Sequence, residues 1–211
     1  MNEIDWYFDF ISPYAYLQYC QLERLTGKFS VNYRPLLFAG LLDQWGHKGP
    51  AEIPGKRVYT FHQAQWLANK AGIPYRIPPN HPFNPLRALR LAIALGSEED
   101  AVGKIFRAIW SDGFLPDHPD GWRGICNAVG CEDADQLIKD QKVKDVLREN
   151  GRLAIEAKVF GVPTAVLNGR LFWGQDSTDF LLDYAENPNL FDDADMKRVE
   201  TIEPSAKRPG G

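Results

Sequence analysis

Residues 4–17 read IDWYFDFISPYAYL, and this stretch decides the fold. It is apolar at its start apart from two aspartates, which predicts a strand over about 3–10 that is covered on both faces. Ser12 then stands at an N-cap position and Pro13 at the first helical position, and both residue types are favoured there. The helix is predicted to continue to about Thr26 and to end at Gly27 in the left-handed conformation.

A second strand is predicted over 29–35, because apolar residues alternate there with polar ones. The run Thr164–Leu167, the pair Asn168-Gly169 and the run Arg170–Trp173 together predict a β-hairpin. Helical spacing of apolar residues predicts helices over 56–72, 86–96, 101–110 (after a capping box of Ser97 and Asp100), 133–140, 143–159 and a last one through Phe180, Leu181 and Tyr184. Residues 38–55 are predicted to be a loop, and the charged tail from Asn187 is expected to pack little or not at all.

This order of elements predicts an α/β protein with a thioredoxin-like fold and a large α-helical insertion. The thioredoxin-like domain would comprise 1–39 and 141–186, the inserted α-helical domain 40–140, and the C-terminal tail 187–211. A chain of 211 residues suits such an arrangement, and its hydrophobic content of 44% is enough for a core.

The net charge of −4 gives no indication of a nucleic-acid or anionic-membrane partner. We find no secretory leader and no apolar stretch approaching about 18 residues. The cysteines form an odd set without C-x-x-C spacing, which favours a reducing compartment, most simply the cytoplasm. They are Cys20, Cys126 and Cys131.

The four histidines lack the spacing of metal ligands, so no metal site is predicted. We expect them at the surface or in loops; they are His47, His62, His81 and His118.

Ser12 has two interpretations. Its hydroxyl can simply cap the helix. At the same place it could donate a hydrogen bond to a bound thiolate, which would lower the pKa of that thiol. Ser12 and Ala15 occupy the two positions that cysteines hold in a C-x-x-C motif, so a disulfide oxidoreductase is excluded. No histidine has a motif that would place it beside Ser12 in a catalytic triad.

Two later segments are further candidates. Val162-Pro163 is either a helix stop before a strand or, if the bond is cis, a turn whose Val162 backbone can hold a peptide-like ligand. Trp173-Gly174-Gln175-Asp176 is either a helix start rich in caps or a site for an amino-acid end, with backbone amides for the carboxylate and Asp176 for the amine.

Basic residues flank the Pro-rich loops of the insertion: Lys56, Arg57, Arg87 and Arg90. They are either a solvated face or the cations that would hold a small acidic substrate.

Taken together, residues 8–14, 158–164 and 173–176 resemble the 2-hydroxychromene-2-carboxylate isomerase family, which is related to kappa-class glutathione transferases. The likeness extends over about 4–185. It implies glutathione as cofactor and Ser12 as the catalytic serine beside its sulfur. It further implies that Val162, before Pro163, pairs with the cysteinyl part, and that Trp173, Gly174, Gln175 and Asp176 hold the γ-glutamyl end.

The resemblance also implies reversible thiolate addition to a small aromatic carboxylate, with Asn84 and, more weakly, Lys56 at the substrate, in a homodimer. Two alternatives stay open. A kappa-type transferase would form stable conjugates, and a thioredoxin-like binding module would do no chemistry.

Overall fold

The computed structural model describes residues 3–206, and its centre is a four-stranded mixed sheet in the order β2-β1-β3-β4. The strands are β1 (Glu3–Phe8), β2 (Ser30–Pro35), β3 (Thr164–Leu167) and β4 (Arg170–Trp173). β2 is parallel to β1, whereas β3 is antiparallel to both β1 and β4. The predicted strands and hairpin are confirmed, with Asn168 (φ 50°) and Gly169 (φ 76°) both left-handed in the connecting turn.

Eleven helices accompany the sheet in the described part of the chain. They are α1 (Pro13–Tyr19), α2 (Glu23–Thr26), α3 (Phe38–Trp45), α4 (Pro54–Ala71), α5 (Leu86–Ala94), α6 (Glu99–Trp110), α7 (Pro119–Val129), α8 (Ala134–Leu137), α9 (Gln141–Glu156), α10 (Thr178–Glu186) and α11 (Ala194–Arg198). Short 3₁₀ turns lie at Pro50–Glu52, Gln175–Ser177, Leu190–Asp192 and Val199–Thr201. No helix among residues 3–206 is long and apolar enough to cross a membrane.

The first helix is shorter than predicted. The backbone N–H of Leu22 bonds to the carbonyl of Tyr19, 3.0 Å away, so the chain tightens into a 3₁₀-type turn before it resumes as α2. Gly27 has φ −69° and is right-handed, so the predicted left-handed stop is wrong. Ser12 is confirmed as the N-cap of α1, and Pro13 is its first residue.

The segment 38–55, predicted as a loop, is mostly helical. It contains α3, which ends at the left-handed Gly46 (φ 62°), and a 3₁₀ turn at Pro50–Glu52. Gly46, Gly49, Pro50 and Pro54 lie at helix ends, and only Gly40 lies well inside α3, so a high content of glycine and proline did not indicate a continuous loop here.

Three details of the insertion also differ from the sequence predictions. The cap of α6 is Glu98, and Ser97 has φ 55° and lies outside the helix, so the predicted capping box is wrong. Helix α7 was not predicted. Helix α8 is shorter than the predicted range 133–140, and α9, which follows the insertion, begins two residues before and ends three residues before the predicted range 143–159.

One continuous core joins the sheet to the insertion. Trp6 and Phe8 stack with ring centroids 4.6 Å apart, and the ring of Phe106 on α6 lies 4.6 Å from Phe10 and 5.4 Å from Phe8. All four side chains are fully buried, so the rings from β1 and its following segment and the ring from α6 form one water-excluding core. The boundaries predicted between the two units stay a prediction.

Part of the tail packs on this core. The ring of Phe191 lies 5.5 Å from that of Phe180 and 5.3 Å from that of Tyr184, so the expectation that nothing after Asn187 would pack well is wrong there. Residues 193–206 are exposed. The remainder of the predicted tail, 207–211, lies outside the described residues.

Candidate functional site

The ends of the strands bring three predicted site segments to one edge of the sheet. β1 ends at Phe8, four positions before Ser12, and its Tyr7 pairs with Thr164, the first residue of β3. Thr164 in turn pairs with Trp173, the last residue of β4. Ser12, Val162-Pro163 and the segment from Trp173 therefore lie at the same edge.

Ser12 is almost buried, with 8% of its surface exposed. Its Oγ accepts a hydrogen bond from the N–H of Ala15 at 3.2 Å, so the capping interpretation is correct for the acceptor side of the hydroxyl. The hydroxyl hydrogen stays available for donation. The N–H of Tyr14 has no hydrogen-bond partner among residues 3–206. Two donors thus lie next to each other at the start of α1.

Val162-Pro163 is a cis peptide bond. In the described part of the chain, neither the N–H nor the C=O of Val162 has a hydrogen-bond partner. The carbonyl of Pro163 accepts a hydrogen bond from the N–H of Gly174 at 2.9 Å. An extended peptide could therefore pair with Val162 as a further strand would.

Trp173 begins the third segment and is 55% exposed. Its ring lies 5.2 Å from the ring of Phe160, edge to face, and a Cβ on Gly161 would come within 2.5 Å of its indole nitrogen. The close approach of Trp173 thus requires glycine at 161.

Gly174 turns the chain from β4 into the 3₁₀ turn that precedes α10. Its φ of 95° and ψ of 157° are essentially restricted to glycine. Within the described chain the N–H groups of Gln175 and Asp176 have no hydrogen-bond partner, and the Asp176 carboxylate forms no ion pair. Open amides beside an open carboxylate can hold an anion and a cation, which are the two charges of an amino-acid end.

Lys56 and Asn84 are not joined to these segments. Lys56 lies in the first turn of α4 and is exposed. The side-chain oxygen of Asn84 accepts a hydrogen bond from the N–H of Leu86 at 3.0 Å, and its own N–H donates to Asp117 at 2.7 Å. Asn84 thus helps to form the turn before α5, and in the described chain no hydrogen bond or ion pair links either residue to Ser12.

The structure adds a buried carboxylate that the sequence analysis did not single out. Asp9 is 1% exposed, and its two oxygens accept hydrogen bonds from the N–H of Ile11 at 3.0 Å and of Phe38 at 2.8 Å. Burial raises the pKa of Asp9 to about 7, although the surrounding backbone N–H groups lower it. Asp9 connects the segment before Ser12 to the start of α3. The one signal in the sequence was a carboxylate in a largely apolar run, and Asp5 shares that signal.

Two side chains of the insertion hold the same segment. Trp110 donates from its indole nitrogen to the carbonyl of Phe10 at 2.8 Å. His81 Nε2 lies 2.9 Å from the carbonyl of Ile11, and Nε2 must carry the hydrogen because a carbonyl only accepts. Burial lowers the pKa of His81, which favours the neutral ring. His81 lies in a loop as predicted, but it is half-buried rather than at the surface.

Two cavities in the described part of the chain include none of the predicted site residues. One, of about 550 Å³, lies beside β2 and is lined by residues such as Tyr33, Glu98 and Glu99, and the other, of about 480 Å³, is lined among others by residues of α1 and α6. No cluster of three or more potential metal ligands occurs within 3–206. The site edge thus offers a hydroxyl, the unpaired N–H and C=O of Val162, three open amides from Tyr14, Gln175 and Asp176, and a carboxylate.

Comparison with known proteins gives three further findings. The family described as "DSBA-like thioredoxin domain" matches residues 3–186. A 2-hydroxychromene-2-carboxylate isomerase of Pseudomonas sp. (strain C18) is 30% identical over 189 residues, which cover 86% of this chain and 89% of that protein. Glutathione S-transferase kappa 1 of Caenorhabditis elegans is 22% identical, with 92% of this chain and 95% of that protein covered.

A solved structure is similar as well. It is that of a 2-hydroxychromene-2-carboxylate isomerase, with a TM-score of 0.74 and 26% sequence identity, and the similarity covers 92% of this chain and 98% of that one.

Proposed function

The chain belongs to the DSBA-like thioredoxin domain family and, within it, to the 2-hydroxychromene-2-carboxylate isomerases, and from this membership we propose that it is a glutathione-dependent isomerase. The proposed reaction interconverts 2-hydroxychromene-2-carboxylate and trans-o-hydroxybenzylidenepyruvate, or a related conjugated aromatic acid.

The observation that carries this proposal is that two features lie at the same edge of the sheet. Ser12 supplies a hydroxyl donor at the start of α1, and Val162 supplies a backbone N–H and C=O without partners among residues 3–206. A peptide thiol needs both, since its backbone requires a strand-like partner and its sulfur requires a donor.

The donor set fits glutathione. The Val162 backbone would hold the cysteinyl residue, with Pro163 fixing the turn behind it. The γ-glutamyl end would lie along Trp173-Gly174-Gln175-Asp176, where the Gln175 and Asp176 N–H groups meet its carboxylate and the Asp176 carboxylate meets its ammonium group. When bound, glutathione would supply a thiolate for reversible addition to a conjugated double bond of the substrate, which thereby becomes a rotatable single bond.

The site residues would divide the work of binding and activating the thiol. The Ser12 hydroxyl and the Tyr14 N–H donate hydrogen bonds that favour the thiolate over the thiol at neutral pH. Asp9, Trp110 and His81 hold the segment that carries Ser12, so these donors are in place before the substrate arrives. Lys56 and Asn84, from the insertion, are our proposal for the substrate carboxylate and its neighbouring polar group.

The cellular compartment and the oligomeric state of the enzyme are part of the same proposal. We place it in the cytoplasm as a homodimer without nucleic-acid or membrane partners. Its thiols support a reducing compartment, because Cys20, Cys126 and Cys131 are all free.

The test is an ultraviolet difference titration of reduced glutathione with the protein, followed by an isomerisation assay. We expect saturable binding, a thiol pKa below the free value, and turnover of 2-hydroxychromene-2-carboxylate that requires glutathione without consuming it. Absence of binding would overturn the proposal and leave the thioredoxin-like binding module.

The similarity to a kappa-class transferase supports one alternative function. A transferase would consume one glutathione per product and release a stable conjugate. Mass spectrometry of the reaction mixture separates the two, because only the transferase yields a product heavier than its substrate.

A further inference from the structure

Gln18 is a buried amide at the centre of a hydrogen-bond network. It lies on α1, is 3% exposed, and its Oε1 accepts a hydrogen bond from the indole nitrogen of Trp6 at 2.7 Å. Its Nε2 donates to the carbonyl of Gly174 at 3.1 Å and to Thr178 Oγ1 at 3.3 Å. The amide therefore uses its acceptor and both of its donors, and it connects α1 with the segment after β4.

The contact with Gly174 fixes the direction of a neighbouring N–H. The carbonyl of Gly174 and the N–H of Gln175 belong to one planar peptide unit and point in opposite directions. The same carbonyl accepts hydrogen bonds from the N–H of Ser177 at 3.3 Å and from its hydroxyl at 2.8 Å. With the carbonyl held from inside, the Gln175 N–H must point away from Gln18, and it has no partner within 3–206.

We infer that Gln18 is a positioning residue that sets the affinity of the site for the α-amino carboxylate end of its ligand. The inference rests on the proposed function, which assigns the γ-glutamyl end of glutathione to this segment. Gln18 does not touch the ligand. It acts through the Gly174–Gln175 peptide, whose N–H it holds ready for the carboxylate.

Methionine and leucine are close to glutamine in size, but neither has a donor for the Gly174 carbonyl. Gln18→Met and Gln18→Leu therefore remove the contact with Gly174 and leave most of the side-chain volume in place. Gln21→Met is the matched control, because Gln21 lies just after α1 and, within the described residues, its Nε2 donates to the carbonyl of Leu17 alone, at 3.3 Å.

The experiment compares two thiols by calorimetry: glutathione, and cysteinylglycine, which lacks the γ-glutamyl group. We expect both Gln18 variants to bind glutathione about tenfold more weakly, because an oriented hydrogen bond to the carboxylate is lost. Their affinity for cysteinylglycine and the pKa of the bound thiol should stay as in the wild type, and Gln21→Met should change nothing.

The outcomes separate the inference from the function on which it rests. A wild-type protein that binds no glutathione overturns both. A wild-type protein that binds, with Gln18 variants that bind equally well or lose both thiols to the same degree, overturns only the role of Gln18. Thr178→Ala is a second variant in case the Gln18 variants fail to fold, because it removes one partner of the amide and leaves the core filled. It should lose affinity for glutathione alone, and an equal loss of both thiols would again contradict the inference.

Discussion

The amide nitrogen of Gly174 lies 2.9 Å from the carbonyl oxygen of Pro163, and this hydrogen bond joins two segments of the proposed glutathione site. Because of it, the turn before β3 and the turn after β4 move as one unit. A change in the backbone at Gly174 should therefore weaken the binding of both the cysteinyl and the γ-glutamyl parts of glutathione.

Gly174→Ala is the direct test of this connection. The residue has φ 95°, and a Cβ there would lie 2.4 Å from Oδ1 of Asp176. We expect the free energy of unfolding to fall by about 1–3 kcal/mol and glutathione binding to be lost, since the strained conformation is nearly restricted to glycine. Urea unfolding and calorimetry measure the two effects.

Gly151→Ala provides the matched control for that variant. Gly151 lies within α9, and a Cβ there would contact nothing within 4 Å. Alanine should stabilise this helix by about 0.5–1 kcal/mol and leave glutathione binding unchanged. If Gly174→Ala behaved like Gly151→Ala, the geometry assigned to the segment would be incorrect.

Ser12→Ala separates the two roles of the serine. Loss of the cap should reduce the free energy of unfolding by about 0.5–2 kcal/mol. Loss of the hydroxyl donor should raise the pKa of bound glutathione towards that of the free thiol and lower the isomerisation rate at neutral pH. Difference absorbance at varied pH reports the thiol pKa. A bound thiol that titrates as in the wild type would leave Ser12 with its capping role alone.

Asp9→Asn should change how stability depends on pH. The pKa of Asp9 is raised to about 7 in the folded protein, above its value in the unfolded chain, so the folded state holds the proton more tightly between these pKa values. The wild type should thus lose unfolding free energy as the pH rises from about 4 to about 7, by at most about 1.4 kcal/mol per pH unit from this group. The full contribution is present below the unfolded pKa.

The variant has no proton to lose at this position, so its stability relative to the wild type should improve as the pH rises through that range. Urea unfolding at about pH 5 and about pH 8 measures the difference. Parallel pH profiles of the two proteins would show that burial does not raise the pKa of Asp9.

Trp110→Phe tests whether the insertion positions Ser12. The change leaves the carbonyl of Phe10 buried without its donor, which should cost about 1–3 kcal/mol of unfolding free energy. It should also raise the pKa of bound glutathione, because the segment before Ser12 is no longer held.

Trp122→Phe is the control, because the indole of Trp122 donates to Asp135 at 3.2 Å, within the insertion. We expect a loss of stability without a change in the thiol pKa. The positioning role of Trp110 would be refuted if both variants left the thiol pKa unaltered.

The sequence was sufficient for the strands and for the three segments at the sheet edge, because their signals are local. The Ser12-Pro13 cap and the Asn168-Gly169 turn each need only adjacent residues. Helix α3 was missed because its segment is rich in glycine and proline, most of which lie at helix ends.

The contacts around the Ser12 segment could not be predicted in the same way. His81 meets Ile11 across 70 positions of the chain, and Trp110 meets Phe10 across 100. No local pattern encodes such a pair, since each depends on how the insertion packs against the sheet. The role of the Asn84 side chain in the turn before α5 could not be predicted from local sequence either.

The shared aromatic core has a consequence for protein engineering. The ring of Phe106 belongs to the inserted helices, yet it fills the space beside Phe8 and Phe10 on the strand side. The inserted helices therefore cannot be replaced by those of a relative without disturbing the core beside β1. A transplanted segment would have to bring a ring of matching size and an indole that reaches the Phe10 carbonyl. Without them a cavity beside Phe8 and Phe10 and a buried carbonyl without its donor would lower the stability of the recipient.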